Sequence, residues 1–304
     1  MQDRMSRIAL ALGALWALTA IAGCTAAQVN PGNEHSAEGH ASGVVASTPG
    51  VNNSSLPPGA DGAMARLSSS PRHGELVMVS TGPSDSVRAW IVYPEKKTKA
   101  PVIIVVHEIF GLSTWIRAVS DQLAADGFIA VAPDFLTMNQ IPEGPDSVRE
   151  QAARAAIRTL RPADVQRQIT AVANHAMALP AALPRYGVVG FCWGGAVSFE
   201  HAVRAPALGA SVVYYGTSPA TETLSMVSAP VLGLYGSNDA RVNATIPPAD
   251  SALRAAGKTY AKNIYEGAGH GFLRQQSGMN GANLAATQQA WPATITWFRK
   301  YLGA

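Results

Sequence analysis

The chain has 304 residues, 47% hydrophobic and 14% charged, which suits a globular protein with one large domain or two small ones. With 23 Lys and Arg against 20 Asp and Glu, the formal net charge is +3, too small and too dispersed for a nucleic-acid footprint. Two cysteines, in no zinc-ligand spacing, exclude both a disulfide framework and a cysteine-based metal site.

In chain order, the first feature is a leader. Arg4 and Arg7 make a basic start, and Ile8 to Ile21 is an apolar run of signal-sequence length, short for a membrane-spanning helix. It ends in Ile21-Ala22-Gly23-Cys24, where small residues before a cysteine resemble a bacterial lipobox. The expectation is a signal peptide over 1–23 and lipidation of Cys24. The mature protein would then be exported and held by its lipid in the cell envelope, with Thr25 favouring the periplasmic face of the outer membrane. An ordinary secretory signal and a short hydrophobic anchor are the alternatives. Residues 24–73 are rich in Ala, Ser, Gly and Pro and poor in large apolar side chains, and are predicted to form a flexible tether. His35 and His40 within it read as solvated linker histidines.

The rest, 74–304, alternates between strand-like and helix-like segments. "ELVMVST" and "SVRAWIVYP" predict a strand pair, and "PVIIVVHE" and "GFIAVAPD" are continuous apolar runs expected of strands buried on both faces. Helical patterns cover 114–126, 146–160 and 163–179, the last two split by Pro162. Then come strand "YGVVGF", helix 194–204, strands "GASVVYYG" and "PVLGLYG", helix 248–257, strand "KTYAKNIYEG" and helix 284–302. This alternation predicts an α/β fold with a mostly parallel, doubly wound sheet and helices on both faces. Ligands bind beyond the carboxyl ends of such strands, where Glu108, Cys192, Asp239 and His270 fall.

Cys192 stands in "GFCWGG" at a predicted strand-to-helix junction. Gly-x-Cys-x-Gly has the shape of the Gly-x-Ser-x-Gly nucleophile elbow, in which glycines let strand and helix approach closely. The following helix N-terminus should favour thiolate, and the Trp193 N–H is a natural oxyanion donor. In elbow proteins of this kind an acid and then a histidine follow the nucleophile. Asp239 in "LYGSNDARV" and His270 in "YEGAGHGF" occupy loops directly after strands, with Asp250 a competing acid beside a helical pattern. His107, His175 and His201 read as structural.

Four segments, "HEIFG" (107–111), "GFCWGG" (190–195), "GSNDARV" (236–242) and "GAGHGFLR" (267–274), together resemble the dienelactone hydrolase family, a cysteine-using branch of the α/β-hydrolases. The resemblance spans about residues 74–302. It implies an α/β-hydrolase fold and an enzyme that opens lactone or enol ester bonds through a cysteinyl acyl-enzyme, with no cofactor or metal. It assigns Cys192, Asp239 and His270 to the triad and Glu108 to a contact with the resting thiol that helps deprotonate it. It also assigns the N–H groups of Ile109 and Trp193 to the oxyanion hole, Arg274 to the substrate carboxylate and Tyr215 to the pocket wall. Met138 stands near the place of a second family arginine, which argues against the dienelactone substrate itself. A non-enzymatic envelope binding lipoprotein that retains the fold is the alternative. Burial beside Ile109 and Phe110 should in addition raise the pKa of Glu108.

Overall fold

A computed structural model of the protein describes residues 55–142 and 144–303. The predicted signal peptide, Cys24, His35, His40 and most of the predicted tether lie outside these residues.

Eight strands form one sheet in the order β1-β2-β4-β3-β5-β6-β7-β8. They are β1 (Gly74–Gly82), β2 (Asp85–Val92), β3 (Ala100–Val106), β4 (Ile129–Asp134), β5 (Ala182–Phe191), β6 (Ala210–Tyr214), β7 (Val231–Gly236) and β8 (Tyr260–Tyr265). β1 pairs antiparallel with β2, and β2 with β4, whereas every pair from β4 through β8 is parallel. The sequence pattern explains the difference. β3, β4, β6 and β7 are buried at every position and read as mainly apolar runs, interrupted by Ser211 in β6 and Asp134 at the end of β4, while the edge strand β1 alternates and leaves Leu76 and Met78 exposed. Each fully buried side chain such as Ile103 or Ile104 contributes about 1.5–3 kcal/mol of hydrophobic stabilisation.

The helices are α1 (Ala63–Ser69), α2 (Thr114–Ala125), α3 (Asp146–Ala156), α4 (Pro162–Met177), α5 (Trp193–Arg204), α6 (Ala240–Asn243), α7 (Ile246–Ala255) and α8 (Ala282–Leu302). One apolar cluster joins α4, α5 and α7 to one sheet face, and a second joins α1, α2 and α8 to the other. Pro162 is the first residue of α4, where its missing N–H costs no hydrogen bond. Pro292, by contrast, sits inside α8, which continues through it.

The predicted tether ends earlier than residue 73. Residues from Ser55 onward pack on the domain: Leu56 and Ala63 are buried, and Arg66 bonds Asp121 at 2.7 Å and Gln122 at 2.6 Å. Pro57 O and Pro58 O accept from Gln276 Nε2 and Trp115 Nε1, at 2.9 and 3.0 Å. Arg72 joins Arg66 on Asp121, at 2.8 Å, so the segment adheres largely through backbone carbonyls and two arginines, and it reads as linker by composition.

Candidate active site

The candidate residues meet at the carboxyl ends of the parallel strands. Glu108 lies just beyond β3, Cys192 between β5 and α5, Asp239 beyond β7 and His270 beyond β8. Cys192 has φ 57° and ψ −114°, a conformation that side-chain-bearing residues seldom adopt. The flanking glycines make this turn feasible. A Cβ on Gly190 would overlap the Gly194 carbonyl, and one on Gly194 would overlap the carbonyls of Val106 and His107. The strained backbone is therefore fixed by close packing of β5, α5 and β3.

From this elbow the Cys192 Sγ lies 3.0 Å from His270 Nε2, and His270 Nδ1 lies 2.5 Å from Asp239 Oδ2. Asp239 is the N-cap of α6: its Oδ1 accepts from the Val242 N–H at 3.4 Å, which leaves Oδ2 for the histidine. The competing acid, Asp250, instead pairs with Arg254 at 2.7 Å and Lys262 at 2.8 Å. His270 keeps about a third of its side chain exposed, so the chain of groups opens to solvent on one side.

The helix N-terminus behind Cys192 is not the dominant influence on its sulfur. Burial, reinforced by Glu108, pushes the Cys192 thiol up to about 11, more than the Trp193 backbone N–H offsets. Removing the sulfur from water outweighs the helix N-terminus, and the resting group is a thiol. The expected rise in the Glu108 pKa is present: burial lifts it to about 7, against the opposing pull of Arg274. The implied contact between Glu108 and the thiol differs from expectation, since the sulfur is turned to His270 and acts on Glu108 only through space.

Arg274 has company that its sequence position does not reveal. Its NH2 group donates to Glu150 of α3 at 2.8 Å, and its Nε lies 3.4 Å from Glu108 Oε2, a charge contact without hydrogen-bond geometry. Glu108 Oε2, Arg274 Nε and the Tyr215 hydroxyl are all buried without a hydrogen-bond partner. Such orphaned polar atoms are uncommon in a well-packed interior, and here they gather around the sulfur, as expected of a binding site. Tyr215 itself has φ 40° and packs its ring 5.1 Å from that of His270.

His107 shapes the site from beneath. Its Nδ1 contacts the Glu108 carbonyl at 2.6 Å, its Nε2 accepts from the Phe135 N–H at 3.3 Å, and its ring stacks on Trp193 with centroids 5.6 Å apart. Burial lowers its pKa and keeps it neutral, so it fixes the chain on either side of Glu108 rather than titrating. His175 is on the exposed surface of α4. Met138 is 60% exposed and lines a different hollow, beside Pro83 and Asn139. Among the described residues, no group of three or more His, Cys, Asp or Glu is placed to hold a metal ion.

The sequence profile of the Dienelactone hydrolase family matches residues 87–302. The chain belongs to this family. It is an enzyme, a carboxylic ester hydrolase of the dienelactone hydrolase kind. Among its relatives is the "Putative carboxymethylenebutenolidase" of Methylorubrum extorquens, 32% identical over 71% of this chain and 77% of that protein. A protein of the same name from Yersinia pestis is 30% identical over 75% of this chain and 88% of its own length. Among solved structures, the "Putative Dienelactone Hydrolase" of Klebsiella pneumoniae superposes with a TM-score of 0.67 at 27% identity, covering 76% of this chain and 99% of that one.

Proposed function

We propose that the protein hydrolyses ester or lactone bonds, the bond class named in its carboxymethylenebutenolidase relatives, with Cys192 as nucleophile, His270 as base and then acid, and Asp239 as the group that orients His270. The observation that carries this reading is the continuous chain Cys192 Sγ, His270 Nε2, His270 Nδ1 and Asp239 Oδ2, with steps of 3.0 and 2.5 Å. As Sγ attacks the substrate carbonyl carbon, the thiol proton passes to His270 Nε2, and Asp239 stabilises the imidazolium. The carbonyl oxygen, now negative, is met by the N–H groups of Ile109 and Trp193; each such donor is typically worth about 3–4 kcal/mol of transition-state stabilisation. The tetrahedral species collapses as His270 returns the proton to the leaving oxygen, leaving a thioester on Cys192. A water then gives a proton to His270 and attacks the thioester, which restores the thiol and releases the acid.

Glu108, with its pKa near neutrality, serves as a second proton acceptor when substrate displaces the thiol from its resting position. Arg274, held by Glu150 and facing Glu108, would meet a substrate carboxylate only by exchanging one of these partners. Tyr215 would wall the pocket next to His270.

Purified protein should hydrolyse p-nitrophenyl acetate, and Cys192→Ala should lower the rate by at least about a thousandfold, toward the residual level seen when a nucleophile is removed. Wild-type activity in that variant would overturn the assignment. We propose in addition that the chain is exported and lipid-anchored through Cys24. Incorporation of labelled palmitate in a bacterial host, abolished by Cys24→Ala, tests this; label retained in the variant would sink it.

A further inference from the structure

Beside the elbow lies a second hollow of about 370 Å³, lined by Ile109, Arg154, Ile157, Arg158, Leu160 and Trp193. Its composition is unusual for a surface depression. Its apolar walls include the side chains of the two residues whose N–H groups face the oxyanion. At its rim stand two arginines, four residues apart, at the end of α3 and in the 3-10 turn that follows, so both present to one face.

The charges of these arginines are poorly matched inside the protein. The carboxylate paired with Arg154 is Glu150, at 4.0 Å, and Glu150 already accepts from Arg274 at 2.8 Å. Arg154 also lies over the Phe110 ring, 4.6 Å from its centroid, with Arg274 at 4.4 Å from the same centroid. Arg158 is exposed and makes no hydrogen bond or ion pair among the described residues. Of the two guanidinium groups at the hollow, one thus shares its carboxylate with Arg274 and the other has none among the described residues.

We propose that this hollow receives the acyl arm of the substrate and that Arg154 and Arg158 recognise an anionic group at the far end of that arm. The assignment rests on the hydrolase reading above and fixes which arm is involved. The leaving oxygen takes its proton from His270, so the alcohol side of the bond lies toward His270 and Tyr215. The hollow is lined by the two oxyanion residues and by neither of those two, which leaves it for the acid side. The substrate class is an ester or lactone of an acid with an apolar spacer and a second, ionised group. The recognition point is on α3, separate from Arg274, whose charge is taken up by Glu108 and Glu150.

The test compares two acyl chains of equal carbon count, p-nitrophenyl hemiglutarate and p-nitrophenyl valerate, on the full-length protein. Wild type should favour the hemiglutarate by about tenfold in kcat/KM, a preference that shrinks toward unity in 0.5 M sodium chloride because exposed charges are screened. The double variant Arg154→Gln, Arg158→Gln should lose that preference through a rise in KM, Arg158→Lys should keep most of it, and Arg274→Gln should keep it. A preference that survives the double variant, or that vanishes with Arg274→Gln alone, overturns the proposal. Monomethyl glutarate titrated into Cys192→Ala protein, followed by tryptophan fluorescence, reads the same hollow without catalysis. Saturable binding that weakens at least tenfold in the arginine double variant supports the proposal, and equal binding to both overturns it. Failure of wild type to turn over either ester would count against the catalytic reading alone.

Discussion

Among the described residues, two histidines are bonded through both ring nitrogens to other side chains, and only one of them is placed for chemistry. His270 joins Cys192 Sγ at 3.0 Å to Asp239 at 2.5 Å, in a loop with part of its ring in solvent. His201, on α5, the helix that the elbow opens, joins the Tyr186 hydroxyl at 3.0 Å to Gln166 Oε1 at 2.7 Å, sealed in the core. The distances are alike; the partners are not. Gln166 offers a neutral amide where Asp239 offers a charge, and burial holds the His201 pKa down at about 4. An imidazole without a countercharge cannot store a proton in a dry interior. A relay thus needs a carboxylate behind the ring and an open face in front of it, and hydrogen-bond geometry alone does not distinguish it from core packing.

The comparison breaks most sharply at the central rings. His270→Ala should lower kcat/KM on p-nitrophenyl acetate by roughly a thousand- to ten-thousandfold, because the proton acceptor and donor are the same group. Asp239→Asn makes the catalytic chain resemble the His201 chain, with an amide in place of the carboxylate, and should cost about a hundred- to ten-thousandfold in kcat with KM little changed. An Asp239→Asn variant within tenfold of wild type would mean that the countercharge is not what separates the two histidines.

Much of this arrangement is legible in the amino-acid sequence. The apolar runs that became β3, β4 and β7 can hardly be anything but buried strands, and glycines on either side of Cys192 announce a tight turn. The order of nucleophile, acid and histidine then picks out Asp239 and His270. What escaped was set by contacts between distant parts of the chain. α1 and the segment before it carry few apolar residues and adhere through Arg66 and the carbonyls of Pro57 and Pro58, which composition does not betray. The pairing of Arg274 with Glu150 spans 124 residues. The thiol's high pKa follows from burial and outweighs the helix N-terminus that the local pattern makes visible. The arginines at the end of α3 look from sequence like any exposed helical face.

Glu108 supplies a pH test of intermediate size. Its pKa rises from 4.5 to about 7 on folding, so the folded chain binds more protons than the unfolded chain in that interval. Unfolding free energy therefore falls as pH rises from about 4.5 to 7, by up to roughly 3 kcal/mol, and the loss is complete above 7. Glu108→Gln should flatten that part of the stability profile in urea titrations and leave the variant more stable than wild type at pH 8. In the same variant the limb of the rate–pH profile near pH 7 should disappear, with activity at pH 8 lower by about tenfold. An unchanged slope between pH 5 and 7 would show that the Glu108 carboxyl is not the group that titrates there.

The smallest effect on catalysis belongs to the sealed histidine. His201→Phe keeps the bulk of the ring but leaves the Tyr186 hydroxyl and Gln166 Oε1 without their partner, and a buried polar group left unsatisfied costs about 1–3 kcal/mol. The urea midpoint should therefore fall, while kcat/KM on p-nitrophenyl acetate in the still-folded population changes less than twofold. Adding Tyr186→Phe to the variant removes one orphaned group and should recover part of the lost stability, since replacing both partners of a buried hydrogen bond is less costly than replacing one. No recovery would indicate that the ring's shape rather than its hydrogen bonds holds α5 on β5. A large loss of kcat would join the two histidines into one functional unit, contrary to the separation drawn from their partners.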